Sequence, residues 1–386
     1  MKLLQTIASM NATGGGTSSC TYQLFNALYN LDPEVRLLSM APKNSGTEVL
    51  GDGSQWLVNL PNDYRTPLGI SRNIRNYLKN SDAEIFHTNG LWLDVNHTTC
   101  AIARSKGKPY LITPHGMMYE ETLRRSWWKK RPLEALWYKR DIREASCIHV
   151  TCREEMRHIR NYGYKGPVAV IGNPIEVPSY IDEINLRTES NPLPDNTYTI
   201  GFLGRLHPRK QVELILQGLS LHPDAKRIKV VIIGDGDAAY KEFLHKEVDR
   251  LGLAGQVEFK GFINGREKFE LLSRLSALFV PSDMENFGMI IPEALLVNTP
   301  VMASLGTPWE ALNTNRCGWW TEASPESISQ VIDQIVGMSP ADLKSMGKRG
   351  AQYVRDKFAA PVIASRLMEL YRWILGEAPK PEFVEV

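Results

Sequence analysis

Short runs of apolar residues alternate along the chain with longer stretches in which apolar residues recur every three or four positions. In the first half the short runs predict buried strands, at residues 2–9, 35–41, 84–87, 109–113, 147–151 and 168–171. The amphipathic stretches at 20–30 and 98–106 predict helices. Strands that alternate with helices are typical of a parallel sheet covered by helices on both faces.

The segment 174–196 interrupts this alternation, because it holds four prolines and several acids and has no sustained apolar period. We interpret residues 176–196 as a linker between two domains. Beyond it the predicted strands are 198–203, 229–233, 257–260, 277–280 and 300–303, and the predicted helices are 211–219, 240–251, 267–274 and 290–297. The pattern therefore predicts an α/β protein of two Rossmann-like, doubly wound domains, 1–175 and 197–360.

Composition agrees with this organisation and excludes several classes of protein. The 386 residues are enough for two cores, and 43% apolar and 23% charged residues are ordinary for a globular protein. A net charge of +2 gives no reason to expect nucleic acid as a partner, and no stretch approaches the roughly 20 apolar residues of a spanning helix. Five cysteines without a CxxC pair argue against a disulfide framework or a zinc site and fit a reducing cytoplasm.

The second predicted domain opens with a strand, a glycine turn and two cations. Arg205 follows Gly204 directly, and Lys210 lies five residues further on, before the predicted helix. Cations beside the free N–H groups of a helix suit a diphosphate. Solvated loop charges are the alternative, and these residues alone do not decide between the two interpretations.

Two glutamates flank the start of the helix that follows the apolar run 277–280. Glu285 and Glu293 are separated by seven residues, and the amides between them are placed to donate to sugar hydroxyls. The alternative is a helix-terminal charge and an unrelated surface glutamate. Pro292 directly precedes Glu293, so we expect the helix to start late or to kink there.

Four segments occur together in a familiar order: Pro114-His115-Gly116, Gly204-Arg205-Leu206 with Lys210, Ile232-Ile233-Gly234-Asp235-Gly236, and Glu285 with Glu293. As a set they resemble family 4 of the retaining glycosyltransferases, which have the two-domain GT-B fold, and the likeness covers nearly the whole chain. The resemblance implies two domains that face a central cleft. It also implies an acceptor-binding first domain, a donor-binding second domain, and a C-terminal segment, 361–386, that crosses back to the first domain.

The resemblance also implies roles for individual residues. Arg205 and Lys210 would hold the donor diphosphate, Glu293 the ribose hydroxyls, and Glu285 the hydroxyls of the donor sugar, with His115 near the anomeric carbon. The further donor-binding residues that it implies are Gly14, Gly15, Gly16, Gly204, Gly261, Phe262, Asn286, Phe287, Gly288 and Met289.

The implied reaction is transfer of a sugar, with retention at the anomeric carbon, from a nucleotide-diphosphate sugar to a glycan or lipid-linked acceptor. A UDP-sugar is favoured and a GDP-sugar is the alternative; no metal or other cofactor is required. The implied setting is surface polysaccharide synthesis at the inner face of the membrane. A nucleotide-sugar epimerase of the same architecture and a non-catalytic nucleotide-sugar-binding protein remain alternatives, although His115 and Glu285 together favour an enzyme.

Three other features have two interpretations each. Asp235 and Asp237 match the Asp-x-Asp metal motif of other glycosyltransferases, but an ordinary turn is favoured, and His87 is assigned to structure. The segment Arg124–Arg140 interleaves seven cations and one acid with four aromatic residues. Such a segment suits the surface of an anionic membrane. A helix whose aromatic residues pack inward is the equally weighted alternative.

Overall fold

The computed structural model describes residues 1–12, 15–42, 46–61, 66, 68–125, 127–190 and 198–386. The chain forms two compact units, one of residues 1–174 together with 360–386 and the other of residues 175–359. The predicted donor-binding glycine Gly14 lies outside the described residues. No helix in the described ranges combines the length and the apolar composition that are required to span a bilayer.

In the first unit, strands alternate with helices from residue 3 to residue 170. Its strands are β1 (Leu3–Ile7), β2 (Val35–Met40), β3 (Leu57–Leu60), β4 (Ile85–Asn89), β5 (Tyr110–Thr113), β6 (Cys147–Val150) and β7 (Val168–Val170). Its helices are α1 (Gly16–Leu31), α2 (Arg72–Asn80), α3 (Asp94–Ser105), α4 (Glu120–Arg124), α5 (Trp127–Leu133), α6 (Lys139–Arg143) and α7 (Arg153–Asn161), with a π-helical turn at Glu134–Tyr138.

The second unit repeats the pattern. Its strands are β8 (Tyr198–Leu203), β9 (Ile228–Ile233), β10 (Val257–Gly261), β11 (Ala277–Val280), β12 (Val301–Ser304) and β13 (Gly318–Thr321). Its helices are α8 (Tyr180–Ser190), α9 (Glu213–Leu221), α10 (Ala238–Arg250), α11 (Gly265–Ser273), α12 (Ile290–Leu296), α13 (Ala311–Thr314), α14 (Pro325–Val336) and α15 (Pro340–Phe358).

The C-terminal segment belongs to the first unit, where it forms α16 (Ala360–Ile374) and the short strand β14 (Val384–Glu385). Helix α16 packs against α1 and buries Ile363, Leu367 and Tyr371. Strand β14 adds antiparallel to β7 and completes a sheet in the order β14-β7-β6-β5-β4-β1-β2-β3, whose other strands are parallel.

The sheet of the second unit runs in the order β10-β9-β8-β11-β12-β13, and its paired strands are parallel. One apolar core covers each face of this sheet. Helix α14 illustrates why the elements form: Ser324 caps its first turn, and Ile328, Val331 and Ile335 recur on one buried face. Gly218 on α9 lets the two helices approach, because a Cβ there would lie 2.5 Å from Cγ2 of Ile328.

Part of the predicted linker is helical. Residues Tyr180–Ser190 form α8, whose Ile181 and Ile184 are buried in a core of the second unit. Only these two buried positions carry the apolar pattern, so neighbouring acids and prolines obscure it in the sequence. The contacts of these two isoleucines with the core stabilise the helix, although its sequence has no regular apolar period.

Candidate functional site

The loop that follows β8 is tied to the loop that follows β9 by backbone hydrogen bonds. The amide of Gly204 donates to the Ile233 carbonyl at 3.0 Å, and that of Leu206 donates to the Asp235 carbonyl at 3.0 Å. Asp237 returns a bond to the Leu206 carbonyl at 2.9 Å. Arg205 is therefore carried by a loop whose path is fixed on one side by its neighbour.

The glycines of the Gly234-Asp235-Gly236 turn are required by this close approach. A Cβ on Gly234 would lie 1.9 Å from the Gly204 carbonyl oxygen, and a Cβ on Gly236 would lie 2.2 Å from that of Leu206. Gly234 also has φ of 147°, which side chains rarely adopt. The motif is thus a packing requirement for the loop that presents Arg205.

The two predicted diphosphate cations differ in their surroundings. Arg205 is exposed and has no acidic partner among the residues that the structure describes. Lys210 ends a 3₁₀ turn, Pro208–Lys210, and its Nζ forms an ion pair with Oε1 of Glu285. The side chains of Lys210 and Glu285 are only 27% and 15% exposed, so this pair is partly shielded from water. The structure therefore joins two predicted site residues that are 75 positions apart.

The Glu285 loop is held on both sides. Ser282 Oγ donates to Glu285 Oε1 at 2.9 Å, and the Glu285 amide donates to the Gly306 carbonyl at 2.8 Å. A Cβ on Gly306 would lie 2.2 Å from the carbonyl oxygen of Asp283, so this glycine fits against the loop as closely as Gly236 does against its own neighbour. Neither Ser282 nor Gly306 is among the site residues predicted from the sequence, although the position of Gly306 just after β12 is a signal for it.

The residues after Glu285 turn the chain into α12. Phe287 is buried against Trp309, with ring centroids 5.4 Å apart, and the Trp309 indole N–H donates to the Phe287 carbonyl. Gly288 has φ of 75°, which favours glycine. The backbone from Asn286 to Met289 is consequently anchored by an aromatic side chain instead of by regular secondary structure.

Glu293 lies in the first turn of α12, so the expected late start or kink does not arise. The helix begins at Ile290, which places Pro292 in its first turn, where the missing N–H removes no helical hydrogen bond. Glu293 Oε2 pairs with Lys268 Nζ at 2.7 Å, and both side chains are less than a fifth exposed. Lys268 on α11 was also missed, because its pairing is not local in sequence.

The loops that carry Arg205 and Glu285 follow neighbouring strands. Strand β8 pairs with β9 on one side and with β11 on the other, so the chain order of the sheet reverses between β8 and β11. Ligands of open α/β sheets bind at such a switch point, beyond the carboxyl ends of the strands. Two strands from β8, at the edge of the sheet, Gly261 ends β10 with φ of 65°, and Phe262 is 74% exposed.

Asp235 and Asp237 are both engaged in local structure. Asp235 Oδ1 accepts from Lys241 Nζ at 2.5 Å and from the Gly236 amide at 2.8 Å, and the Lys241 hydrogen bond lowers the pKa of Asp235. Asp237 caps α10 by accepting from the Tyr240 amide at 2.8 Å. The described residues contain no group of three His, Cys, Asp or Glu side chains arranged to hold a metal ion.

In the first unit the predicted residues lie after β1 and β5. Gly15 has φ of 82° before Gly16 starts α1, and a Cβ on either would meet no atom within 4 Å. His115, half-buried, has φ of 52°, and its Nε2 lies 3.1 Å from Asn89 Oδ1 at the end of β4. Burial, with a smaller contribution from His149, lowers the pKa of His115 to about 3, so the ring is neutral near pH 7.

His87, by contrast, is fully enclosed in the sheet. Its Nδ1 lies 2.7 Å from the Tyr371 hydroxyl and its Nε2 lies 2.7 Å from Thr113 Oγ1. Burial lowers its pKa well below the usual value. Both ring nitrogens of His87 are therefore hydrogen-bonded to buried groups inside the first unit.

Two protein-family profiles match the chain, one in each unit. The profile described as Glycosyltransferase Family 4 matches residues 14–177, and that described as Glycosyl transferases group 1 matches residues 184–353. An uncharacterized glycosyltransferase of Methanocaldococcus jannaschii is 30% identical over 160 residues, which are 41% of this chain and 40% of the relative. The human alpha-1,3/1,6-mannosyltransferase is 28% identical over 168 residues, 41% of this chain and 39% of that protein. The matches thus span less than half the length of these two curated relatives.

The solved structure of Anabaena HepE in complex with UDP superposes with a TM-score of 0.74 at 18% identity, over 97% of this chain and 100% of the other. Two parallel-sheet units of this kind define the GT-B class of glycosyltransferases. The two profiles together account for most of the sequence, and the chain belongs to glycosyltransferase family 4.

Proposed function

We propose that the protein is a retaining glycosyltransferase that moves a sugar from a nucleoside-diphosphate sugar to an acceptor hydroxyl. The observation that carries the proposal is the pair of loops at the switch point between β8 and β11, where Arg205 stands without an acidic partner in the described chain and Lys210 is held by Glu285. A diphosphate brings the negative charge that Arg205 lacks in the described chain, and it adds a second anionic partner for Lys210.

In the proposed reaction the bond between the anomeric carbon and the β-phosphate oxygen breaks, and a bond to the acceptor oxygen forms on the same face. The acceptor proton passes to the departing phosphate, so no protein base is needed. Arg205 and Lys210 stabilise the charge that develops on the diphosphate. Glu285 and the amides from Asn286 to Met289 hold the sugar hydroxyls, and Glu293 holds the ribose.

The proposed donor is a UDP-sugar, with a GDP-sugar as the alternative. The Anabaena protein was solved with UDP and with UDP-glucose, which supports this preference through fold alone. Gly261 and exposed Phe262, at the end of β10, are the proposed contacts of the base. A glycan or lipid-linked acceptor in surface polysaccharide synthesis is proposed, and neither a metal nor another cofactor is required.

The test is calorimetric titration with UDP, GDP, ADP and CMP and their sugar conjugates, in the presence of a chelator. One diphosphate series should bind, and Arg205→Ala should weaken it about tenfold or more, as loss of a charged hydrogen bond worth roughly 1.5–3 kcal/mol requires. The fold should be unaffected, because Arg205 is exposed. Arg250→Ala, which removes an exposed arginine from α10, is the matched control and should leave binding unchanged.

Turnover assays separate the proposal from its alternatives. A transferase releases nucleoside diphosphate faster when acceptor is added. An epimerase converts the donor sugar without acceptor, and a binding protein gives no turnover at all. Failure of every nucleotide to bind would remove the proposal, and binding that depends on a divalent cation would redirect attention to Asp235 and Asp237.

We propose, in addition, that the segment Arg124–Arg140 rests on an anionic membrane surface at the cytoplasmic side. The segment divides into two parts, since Trp137 stacks on His97 with centroids 4.7 Å apart and Tyr138 is buried. Trp127 and Trp128 are 55% and 63% exposed, among the cations of the segment. Interfacial tryptophans with basic neighbours favour a headgroup layer.

Vesicle flotation tests this contact. The protein should float with vesicles that contain anionic lipid at low salt, and should be released as salt screens the charges. Replacing Trp127 and Trp128 by serine should reduce flotation strongly, whereas Phe243→Ala, at an exposed aromatic residue of α10, should not. Absence of flotation for the unaltered protein at low salt would rule the contact out.

A further inference from the structure

A continuous series of hydrogen bonds runs through the interior of the first unit. It starts at His115, after β5, and ends at the backbone carbonyl of Ile171, directly after β7. Side chains of β1, β4, β5, β6 and α16 supply the links between these ends. Each link is 2.7–3.1 Å long. The donor and the acceptor of every bond can be assigned in turn, starting from the Ile171 carbonyl.

The Ile171 carbonyl only accepts, so His149 Nε2, at 2.8 Å from it, carries a proton. A neutral His149 then has a lone pair on Nδ1, and Thr113 Oγ1 at 2.8 Å must donate to it. The Thr113 oxygen in turn accepts from His87 Nε2 at 2.7 Å. His87, also neutral, is therefore protonated on Nε2 and bare on Nδ1.

The same logic continues to the other end. The Tyr371 hydroxyl, 2.7 Å from His87 Nδ1, must donate to it, and its oxygen accepts from Gln5 Nε2 at 2.8 Å. Gln5 then presents Oε1 to Asn89 Nδ2 at 2.8 Å. Asn89 is left with Oδ1 facing His115 Nε2 at 3.1 Å, and that nitrogen must carry the proton.

Two further observations support the assignment. Asn89 Nδ2 is also 3.3 Å from the Thr6 backbone carbonyl, a second group that only accepts, so its amide orientation is fixed twice. The neutral rings that the scheme requires agree with burial, which lowers the pKa of His149 to about 4 and that of His115 to about 3. The described residues offer no hydrogen bond to the remaining ring nitrogen of His115, Nδ1.

We propose that Asn89 is a positioning residue that holds His115 as the Nε2–H tautomer, so that Nδ1 keeps a lone pair and accepts a hydroxyl of the donor sugar. The second half of this statement rests on the proposed function; the tautomer does not. In this tautomer Nδ1 of His115 accepts a hydrogen bond from a sugar hydroxyl and does not donate one to phosphate. Donor analogues in which that hydroxyl is replaced by fluorine, which cannot donate, should consequently bind less well.

The test is nitrogen NMR of histidine-labelled protein, in which the two ring nitrogens of a neutral histidine have distinct shifts. The His115 signal is identified by its loss in His115→Gln. We expect the Nε2–H form for His87, His115 and His149 in the unaltered protein. Asn89→Leu, which removes the acceptor that faces His115 Nε2, should leave His115 a mixture of tautomers.

Asn26→Leu is the control, because Asn26 is a partly buried asparagine of the same unit whose Oδ1 accepts from Trp56 Nε1 at 3.2 Å, away from His115 and Asn89. It should lower stability and leave the His115 tautomer unchanged. In steady-state assays Asn89→Leu should raise the donor KM about fivefold, the effect of one hydrogen bond between neutral groups worth roughly 1 kcal/mol.

Two results would overturn the inference: a proton on Nδ1 of His115 in the unaltered protein, or an unchanged tautomer in Asn89→Leu. Neither measurement needs a substrate. If the tautomer pattern is found but no nucleotide sugar turns over, the proposed function fails and the role of Asn89 stands. If the protein turns over a nucleotide sugar with the opposite tautomer, only this inference fails.

Discussion

At the scale of single residues, the two predicted site glutamates of the second unit, Glu285 and Glu293, are paired with lysines. Lys210 lies against Glu285 and Lys268 against Glu293, and all four side chains are largely shielded from water. Pairs of this kind contribute little net stability but cost much when one partner is removed, because the other charge is left shielded and alone. The lysines therefore hold the two carboxylates in place.

Lys268→Met should lower the free energy of unfolding by roughly 1–3 kcal/mol, the cost of leaving a shielded polar group unsatisfied. It should also weaken nucleotide binding, because Glu293 loses its fixed position. Thermal unfolding and calorimetry measure the two effects. Lys246→Met is the control: its pair with Glu242 is exposed on α10, so its loss should leave stability almost unchanged. Equal effects of the two variants would contradict the argument.

The buried histidines make stability depend on pH. Burial, their first cause, lowers the pKa of His115 to about 3 and that of His149 to about 4, from a usual value of 6.5. Between about pH 6.5 and 4 the unfolded chain binds protons there that the folded chain does not. Stability therefore rises with pH across this window and is lost as the pH falls, by roughly 2 kcal/mol for each histidine at pH 5.

Urea unfolding of the whole protein at pH 7.5 and pH 5 checks this expectation. The fall in stability between the two pH values should be about 2 kcal/mol smaller in His149→Asn than in the unaltered protein. His245→Asn removes an exposed histidine and should leave the fall unchanged. An identical fall in all three proteins would show that His149 is protonated in the folded state at pH 5.

At the scale of elements, the candidate site of the second unit is formed by loops that contact one another, after β8 and β9 and after β11 and β12. Gly234 and Gly236 remove the Cβ atoms that would separate the Arg205 loop from its neighbour, and Gly306 does the same for the Glu285 loop. Strands bring these loops near one another, and the glycines let backbones meet. Small residues after parallel strands thus decide where the charged side chains stand.

Gly236→Ala should therefore displace Leu206 and the adjacent Arg205. The added Cβ would lie 2.2 Å from a backbone oxygen, which no side-chain rotation relieves. We expect a destabilisation of roughly 1–3 kcal/mol together with weaker diphosphate binding. Gly255→Ala, where a Cβ would meet no atom within 4 Å, is the control and should change neither. Unchanged binding in Gly236→Ala would mean that Arg205 does not need this loop path.

Sequence reasoning predicts the elements whose signal is local. Strand β11 is a buried apolar run, and the loop after it carries Glu285, so both are found from neighbouring residues. Helix α8 escapes because only two of its residues are buried, and the pair of Lys268 with Glu293 escapes because it joins two helices. The partnership of Tyr371 with His87 spans 284 positions and leaves no trace in local pattern.

At the scale of the whole molecule, the last residues complete the first unit. Helix α16 packs on α1 with Leu367 and Tyr371 buried, and Tyr371 contributes the hydroxyl that links Gln5 to His87. The first unit is therefore assembled from both ends of the chain. Its core and its polar interior both remain incomplete until the C-terminal segment is in place.

Ending the chain at residue 359 should strongly destabilise the first unit, since the faces of α1 and of the sheet beneath α16 would be exposed to water. Ending it at residue 376 keeps α16, removes β14 and the segment 377–383 that leads to it, and should have a much smaller effect. Thermal unfolding and proteolysis of both truncated proteins provide the comparison. A melting temperature that is unchanged on loss of α16 would contradict this account.

The ends of the second unit lie side by side. The amide of Ile175 donates to the Phe358 carbonyl at 2.7 Å, and Ile175 forms a bridge with Ala359. A segment whose first and last residues are hydrogen-bonded neighbours is an insertion with closed ends, and it can be exchanged for another such segment without lengthening the host chain. The segment 175–359 is therefore suited to exchange as one piece. Chimaeras joined at these two points should therefore keep the fold of the first unit while the second unit is exchanged.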